Sequence, residues 1–284
     1  MKDSINIYTV EENARVYIAS TKNLVQQSRF IHNTTPVVTA ALGRTLTAGA
    51  IMGAMLKNDT DLLTISIKGN GPIGGIVVTA DNKSCVKGYV HNNKVQIPLK
   101  PTSKLDVAGA IGTGTITVTK DISLKHPISG SLELVSSEIA EDITYYFAKS
   151  EQIPSVVGLG VLVDTDFSVL QAGGFIVQLL PGAKEEFITT LEDSLTKLPS
   201  VTKMLSDGQP VLTTLFPNQK FRYHGEITPS FTCNCSRERT QKALVSVGKI
   251  ELQAILDEDK GAKIHCHFCN TDYDFSEEDI RELL

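Results

Sequence analysis

The stretches "FTCNCSRER" (231–239) and "IHCHFCNTD" (264–272) contain four of the five cysteines in this sequence of 284 residues. They form one C-x-C pair and one C-x-x-C pair: Cys233 with Cys235, and Cys266 with Cys269. Two short pairs far apart in sequence are typical of a tetrahedral Zn²⁺ site, because each pair supplies two thiolates from one turn. The spacing therefore predicts one zinc ion per chain, bound by these four sulfurs in the reduced state.

The segment that carries these cysteines is short, and this favours a structural role for the metal. A tail of about fifty residues rarely forms a strong hydrophobic core of its own, so it needs a cross-link. Zinc would supply that cross-link, and its loss would unfold the tail. We therefore expect residues 231–284 to form a small C-terminal zinc-binding domain. The fifth cysteine, Cys85, is expected to be an ordinary, partly buried side chain.

Two interpretations of the zinc site remain open at this point. The site is either a constitutive structural centre, as in an adaptor or a nucleic-acid-binding protein, or a centre that is built to be lost. The uncommon C-x-C pair favours the second. Residues 231–284 carry seven Lys and Arg against eleven Asp and Glu, whereas a nucleic-acid-binding module is normally basic. A third interpretation, an oxidoreductase using Cys266 and Cys269, ranks lowest because a thioredoxin-like C-x-x-C lies early in a βαβ unit.

Oxidation of the cysteines is a chemical route by which such a centre could lose its zinc. Zinc-bound thiolates can be oxidised by peroxide, and once the metal has left, the nearest partner of each sulfur along the chain is its own pair mate. We therefore predict the disulfides Cys233–Cys235 and Cys266–Cys269 in the oxidised protein. Disulfide geometry across a C-x-C pair is tight, and strained disulfides are the more easily reduced ones.

Residues 1–180 are expected to form an N-terminal core domain with an antiparallel sheet, which gives the chain an α+β fold. Runs such as "LLTISIKG", "GGIVVTAD" and "CVKGYVHN" alternate like consecutive strands of a meander. The apolar run 36–56 is long enough to span a bilayer, but Arg44 near its middle would cost roughly 2.5–3.5 kcal/mol there. We interpret this run as a buried helix that packs closely on a sheet through its Gly and Ala residues.

Residues 181–230 are expected to form an amphipathic helical linker, with no strand signal. In "AKEEFITTLEDSLTKL" the apolar side chains recur along one helical face. This linker apolar face consists of Phe187, Ile188, Leu191, Leu195 and Leu198. Because so short a segment cannot bury its apolar stripe alone, the stripe must lie on another surface, from which it could be released.

Charge and motifs exclude several classes of function. The net charge of −5 gives no general attraction to nucleic acid or to anionic membranes. The N-terminal residues do not combine a basic segment with an apolar run, so no secretory signal is expected and the predicted location is cytoplasmic. "GNGPIG" (69–74) is followed by a strand-like run instead of a helix, so it is expected to be a turn and not a nucleotide site. No catalytic set of residues emerges by spacing.

The sequence resembles the heat shock protein 33 family of redox-regulated bacterial chaperones. The resemblance rests on the C-x-C and C-x-x-C pairs near the C-terminus, on "CNCSRER", on "GNGPIGGIVVTAD" followed by "VKGYV", and on "QAGGFIVQLLPGA". It covers essentially the whole chain and carries the zinc assignment over to Cys233, Cys235, Cys266 and Cys269 without gaps.

The resemblance implies a function that is not enzymatic. A protein of this kind is an ATP-independent holdase, which binds unfolding client proteins under oxidative and heat stress. It is inactive while reduced and zinc-bound. Disulfide formation and loss of zinc unfold the tail and the linker and expose apolar surface, and the active form is a homodimer. No nucleic acid, membrane or ATP is expected among its partners.

Overall fold

The structure is a computed structural model that describes residues 2–208 and 210–284, and the chain divides into two units between Phe231 and Thr232. The strands of the first unit are β1 (Ser4–Val10), β2 (Ala14–Ser20), β3 (Leu62–Gly69), β4 (Gly75–Asp81), β5 (Cys85–Val90), β6 (Gly114–Asp121), β7 (Ile128–Glu133), β8 (Ser155–Val163), β9 (Val169–Leu179), β10 (Phe221–Ile227) and β11 (Ser230–Phe231). Its α-helices are α1 (Lys22–His32), α2 (Pro36–Gly53), α3 (Val107–Ile111), α4 (Ala140–Tyr146), α5 (Glu185–Thr196), α6 (Val201–Ser206) and α7 (Val211–Leu215).

The strands of the first unit form two sheets. The first sheet has the order β10-β1-β2-β9-β8, and all its neighbours pair antiparallel. The second has the order β11-β5-β4-β3-β6-β7, with antiparallel pairing except for the two-residue strand β11, which runs parallel to β5. The meander β3-β4-β5 lies where the sequence predicts it. "GNGPIG" provides the turn between β3 and β4, as expected.

Helix α2 contacts strands of both sheets and forms the centre of the first unit. Pro36 occupies its first turn, and all its residues except Pro36 and Arg44 are buried. Gly43 and Gly49 permit the close approach, because a Cβ atom at either position would lie 2.6 Å from a valine methyl carbon, of Val25 and Val78 respectively. The predicted buried helix is thus confirmed. None of the helices in the described residues has the length and apolar character needed to cross a membrane.

The one charged side chain of α2 leaves the helix toward an ion-pair cluster. Arg44 Nη1 lies 2.6 Å from a carboxylate oxygen of Glu138 and also donates to the Glu138 backbone carbonyl. Lys100 pairs with the other carboxylate oxygen of Glu138, and it lies 3.6 Å from Asp106. The guanidinium that would be costly inside a bilayer is therefore neutralised within the protein.

Helices α5, α6 and α7 cover one face of the first sheet. Their buried side chains form a separate apolar cluster with side chains of β1, β2 and β9. Phe187 of α5 stacks on Phe216, which follows α7, with ring centroids 5.4 Å apart and planes inclined by 11°. The helical part of the predicted linker thus packs as an outer layer on the sheet.

The prediction that residues 181–230 contain no strand is wrong. Residues Phe221–Ile227 form β10, which pairs with β1 along its length and becomes the edge strand of the first sheet. The period-two alternation of Phe221, Tyr223 and Ile227 with polar residues is the local signal for this strand. It is weak, because the strand is only partly buried and its partner lies some two hundred residues earlier in the chain.

The second unit contains a hairpin and three helices. Its elements are α8 (Arg237–Ser246), α9 (Lys249–Asp259), β12 (Gly261–Cys266), β13 (Thr271–Ser276) and α10 (Glu277–Leu283). Helix α10 begins with a capping box, in which Ser276 accepts from the Asp279 backbone amide and Asp279 accepts from that of Ser276.

Candidate metal centre

The four predicted ligand sulfurs come together in the second unit. The Sγ atoms of Cys233, Cys235, Cys266 and Cys269 all lie within 4.8 Å of one another. Between the two pairs, Cys233 Sγ is 3.7 Å from Cys266 Sγ, and Cys235 Sγ is 3.1 Å from Cys269 Sγ. All four cysteines are free thiols and are partly buried.

Local structure holds each pair in place. Cys235 immediately precedes the N-cap of α8, where the Ser236 hydroxyl accepts from the Arg239 backbone amide. Cys266 is the last residue of β12, and the Asn270 amide donates to its carbonyl at 2.8 Å to close the turn that contains Cys269. One pair is therefore fixed by a helix start and the other by a hairpin turn.

Arg237 connects these two local structures. Its guanidinium donates to the Asp274 backbone carbonyl at 2.6 Å and to the Asp279 carboxylate at 2.8 Å. The same group lies 4.4 Å from the centroid of the Phe275 ring. The start of α8 is thus attached to β13 and to α10 through a side chain two positions after Cys235.

Two hydroxyl groups lie against the cluster. The Tyr273 hydroxyl donates to Cys235 Sγ at 3.1 Å. This hydrogen bond, with smaller effects of burial and of the nearby sulfurs, raises the pKa of Tyr273 to about 12. The Thr271 hydroxyl lies 3.3 Å from Cys269 Sγ. Tyr273 therefore stays protonated at neutral pH and can act as a hydrogen-bond donor to sulfur.

The electrostatics of the cluster favour a cation. Burial raises the pKa of the Cys233 thiol to about 12, and the side chains of Cys235 and Cys266 add to the increase. Four sulfurs this close cannot all be thiolates unless a positive charge compensates them. A regular tetrahedron with Zn–S bonds of about 2.3 Å has sulfurs roughly 3.8 Å apart. The Cys233–Cys266 separation of 3.7 Å matches that spacing, and the Cys235–Cys269 separation of 3.1 Å is shorter than it. The residues present therefore fit a tetrahedral thiolate site for a divalent metal.

His265 and His267 flank the second pair but are not in the ligand group. Among the described residues, the four cysteines form the one group of potential metal ligands. His265 Nδ1 lies 2.7 Å from an Asp272 carboxylate oxygen, whose partner oxygen lies 2.8 Å from Lys263 Nζ. The hydrogen bonds from Lys263 and His265, together with the smaller effects of their charges, hold the pKa of Asp272 below its usual range.

The predicted linker apolar face is found at several levels of burial. Phe187 and Leu191 are buried against the first sheet, while Leu195 and Leu198 are partly buried in the same cluster. Ile188 lies at the rim, where it lines an apolar groove of about 580 Å³ and a smaller cavity of about 170 Å³ between α5 and strands β8 and β9. Helix α5 therefore leaves unfilled space on the sheet that it covers.

Tyr273 and Arg237 were missed as components of the site. The sequence contains a signal for each: an aromatic residue four positions after Cys269, and a basic residue two positions after Cys235. Neither signal specifies a contact, because both contacts depend on how β13 packs beside the start of α8.

The fold and the cluster together define a class of protein. It is a mixed α+β protein with a small C-terminal unit built around four clustered cysteine thiols. Comparison with known proteins identifies that class. The family described as "Hsp33 protein" matches residues 3–276.

The sequence is similar to those of known relatives over nearly the full length of both chains. The 33 kDa chaperonin of Ruminiclostridium cellulolyticum is 47% identical over 99% of this chain and 97% of its own. That of Clostridioides difficile is 51% identical over 95% of this chain and 94% of its own. The crystal structure of the 33 kDa chaperonin from Thermotoga maritima covers 100% of this chain and 98% of that one, with 36% identity and a TM-score of 0.91.

The chain therefore belongs to the Hsp33 family. The family resemblance and the α+β fold expected from the sequence are confirmed. The family consists of chaperones and not of enzymes, which agrees with the non-enzymatic role expected from the sequence.

Proposed function

We propose that this protein is a redox-regulated, ATP-independent holdase that captures unfolding proteins during oxidative and heat stress. The observation that carries the proposal is the cluster of four free thiols within 4.8 Å, in a unit whose apolar core contains only five buried residues among those described. Such a unit depends on its cross-link for stability. A reaction that modifies the sulfurs therefore lowers the stability of the folded second unit.

In the reduced state Cys233, Cys235, Cys266 and Cys269 would hold one Zn²⁺. A bound divalent ion would supply the positive charge that keeps all four sulfurs as thiolates and would join the two cysteine pairs. The start of α8 and the β12–β13 turn would then be tied together at one point, with Arg237 as a second connection. The second unit is folded in this state and the chaperone is inactive.

Peroxide would convert the four thiols into two disulfides. Each disulfide forms when two thiols give up two electrons and two protons, and one molecule of hydrogen peroxide is reduced to two of water. A disulfide sulfur no longer offers a thiolate ligand, so the cross-link is lost and the second unit unfolds. Thiol reductants reverse the step.

We propose the pairs Cys233–Cys235 and Cys266–Cys269 for the oxidised state. In the folded cluster each of these sulfurs also has a close neighbour in the other pair, at 3.7 or 3.1 Å. Because all four sulfurs lie within 4.8 Å of one another, distance in the folded cluster does not select one pairing. If the second unit opens before the second disulfide forms, the residues nearest in sequence become the favoured partners. This gives a reason for heat to assist the oxidant.

Unfolding of the second unit would then destabilise the linker, residues 181–230. We expect helix α5 to leave the sheet with the linker, because a cavity of about 170 Å³ remains between α5 and the sheet, beside its buried residue Leu191. Its departure would expose Phe187, Ile188, Leu191, Leu195 and Leu198, together with the face of the sheet that they cover. Client proteins would bind this apolar surface.

The remaining parts of the proposal concern partners and location. The active form is a homodimer that works in the cytoplasm, binds unfolding clients and uses no ATP, nucleic acid or membrane. The negative net charge of −5 supports the last two exclusions.

Zinc release is the experiment that tests the proposal. The purified reduced protein is treated with hydrogen peroxide at raised temperature, while free zinc and free thiols are counted. About one zinc per chain should be released as four thiols are lost, and a thiol reductant should restore them. The treated protein should then prevent the aggregation of a heat-denatured test protein, and the reduced protein should not.

The alternative is a constitutive structural zinc centre, as in an adaptor or a nucleic-acid-binding protein. In that case the zinc stays bound through peroxide treatment, and aggregation is unaffected by redox state. This result would refute the redox mechanism while leaving the zinc site in place. Catalytic reduction of a disulfide substrate would instead point to an oxidoreductase that uses Cys266 and Cys269.

A further inference from the structure

Among the described residues, Tyr273 is the one tyrosine whose hydroxyl forms a hydrogen bond to a sulfur of the cluster. It lies in β13, opposite Ile264 in β12, and its ring is partly buried against the small core of the second unit. Its hydroxyl donates to Cys235 Sγ at 3.1 Å. The ring therefore has a packing role, and the hydroxyl has a separate contact that can be removed without disturbing the ring.

Cys235 is the cysteine for which such a contact matters most. It belongs to the C-x-C pair, in which one residue separates the two cysteines. The next residue, Ser236, is the N-cap of α8. A hydrogen bond from across the unit fixes its sulfur relative to the hairpin that carries Cys266 and Cys269. Hydrogen bonds to charged acceptors are about twice as strong as neutral ones, so the contact gains strength when the sulfur is a thiolate.

We propose that the Tyr273 hydroxyl is a positioning group for the metal centre, which holds the Cys235 sulfur in ligating geometry and thereby sets how tightly the centre retains its metal. The inference rests on the zinc site of the proposed function and adds a residue to it. Groups that hydrogen-bond a ligand atom commonly change metal affinity by about 10–100-fold. We expect the lower end of that range, because one hydroxyl group is involved.

The test compares Tyr273→Phe with two variants and the unaltered protein. Phe keeps the ring and removes only the hydroxyl. Thr271→Val removes the longer hydroxyl contact at Cys269, 3.3 Å from its sulfur. Tyr145→Phe removes a tyrosine hydroxyl from α4 in the first unit and serves as the control. Zinc affinity is measured on the full reduced chain by competition with a coloured zinc chelator.

Tyr273→Phe should bind zinc roughly tenfold more weakly, Thr271→Val should show a smaller loss, and Tyr145→Phe should match the unaltered protein. Circular dichroism of the zinc-loaded variants should be unchanged, which would show that the second unit still folds. Equal affinity in Tyr273→Phe and in the unaltered protein would overturn the inference.

Cobalt supplies a readout that a purely structural role would not move. With Co²⁺ in place of Zn²⁺, the sulfur-to-metal charge-transfer band reports the electron density on the thiolates. Loss of a hydrogen bond to Cys235 raises that density, so the band should move to longer wavelength in Tyr273→Phe and stay in place in Tyr145→Phe. The spectra are recorded at saturating Co²⁺, and a band at unchanged wavelength in Tyr273→Phe would overturn the inference.

The same measurements separate this inference from the proposed function. If the unaltered protein binds neither zinc nor cobalt through its thiols, both fail. If it binds them and Tyr273→Phe matches it in affinity and spectrum, the inference fails and the zinc site stands.

Discussion

The two units of this protein are each stabilised internally, and they differ in the kind of contact that stabilises them. The main core of the first unit spans both sheets and α2, and forty-one buried apolar side chains of the described residues form one cluster there. The core of the second unit contains five: Leu244, Leu252, Leu256, Phe275 and Ile280. The second unit compensates with contacts that are not apolar, namely the sulfur cluster, the Arg237 contacts and the capping box of α10.

This difference would confine the proposed sensitivity to oxidants to one part of the chain. A fold that depends on dispersed apolar burial has no single chemical weakness. A fold of about fifty residues that depends on one cluster is lost when the cluster is modified. Cys85, the one cysteine of the first unit, lies on β5 and its sulfur contacts a serine hydroxyl, so its oxidation would not remove a cross-link.

The largest expected effect is from removing one sulfur of the cluster. Cys269→Ser leaves three thiols, and the proposed zinc site loses a ligand that the small core cannot replace. We expect the second unit to unfold while the first unit stays folded. Nuclear magnetic resonance spectra should show residues 232–284 collapsing to random-coil shifts, and proteolysis should remove this segment.

Cys85→Ser is the matched control, because it makes the same chemical change in the first unit. It should retain zinc and the dispersed spectrum of the second unit. A folded second unit in Cys269→Ser, with zinc absent, would contradict the comparison, since it would show that five buried residues and the Arg237 contacts suffice.

The next effect concerns α5, which is held on the first sheet by its two buried residues, Phe187 and Leu191. Phe187 is 4% exposed and stacks on Phe216. Truncation of a buried Phe to Ala costs about 3–5 kcal/mol, and we expect the cost to fall locally on α5. Phe187→Ala should lose amide-exchange protection in α5 and bind an apolar-surface dye without any oxidant.

Thr189→Ala, at an exposed position of the same helix, is the control and should bind no additional dye. If Phe187→Ala instead unfolded the whole first unit in one step, α5 would be an integral part of the core. The proposed release of the linker would then require global unfolding.

Much of this organisation could be predicted from residues whose local sequence determines their structure. Pro36 and the apolar run after it predict α2, the Ser276–Asp279 spacing predicts the start of α10, and the cysteine spacing predicts the cluster. In each case the structural partners lie within a few residues, or the residue type permits few alternatives.

Long-range contacts could not be predicted in this way. Strand β10 has only a weak alternation of its own and owes its place to pairing with β1. One local feature was also beyond prediction: Ile139 adopts φ +72°, unusual for a β-branched residue. The Asp142 carboxylate, which accepts from four backbone amides of residues 135–139, supports that turn. No local sequence signal specifies such a turn.

The smallest effect is a pH dependence confined to the first unit. Burial raises the pKa of Glu138, but the hydrogen bonds and charges of Lys100 and Arg44 outweigh it, so the pKa lies below its usual value of 4.5. A carboxyl whose pKa is lower in the folded state stabilises the fold fully above the unfolded value, and the contribution is lost as pH falls through the folded value. Urea unfolding of the first unit is measured between pH 7 and about pH 3. The unaltered protein should be more stable than Glu138→Gln by an amount that is constant at neutral pH and shrinks below pH 4.5.

The control is Glu141→Gln, which removes an exposed carboxylate from α4 and should follow the unaltered protein throughout. A constant difference down to the lowest pH would show that Glu138 stabilises the first unit through packing and not through its charge.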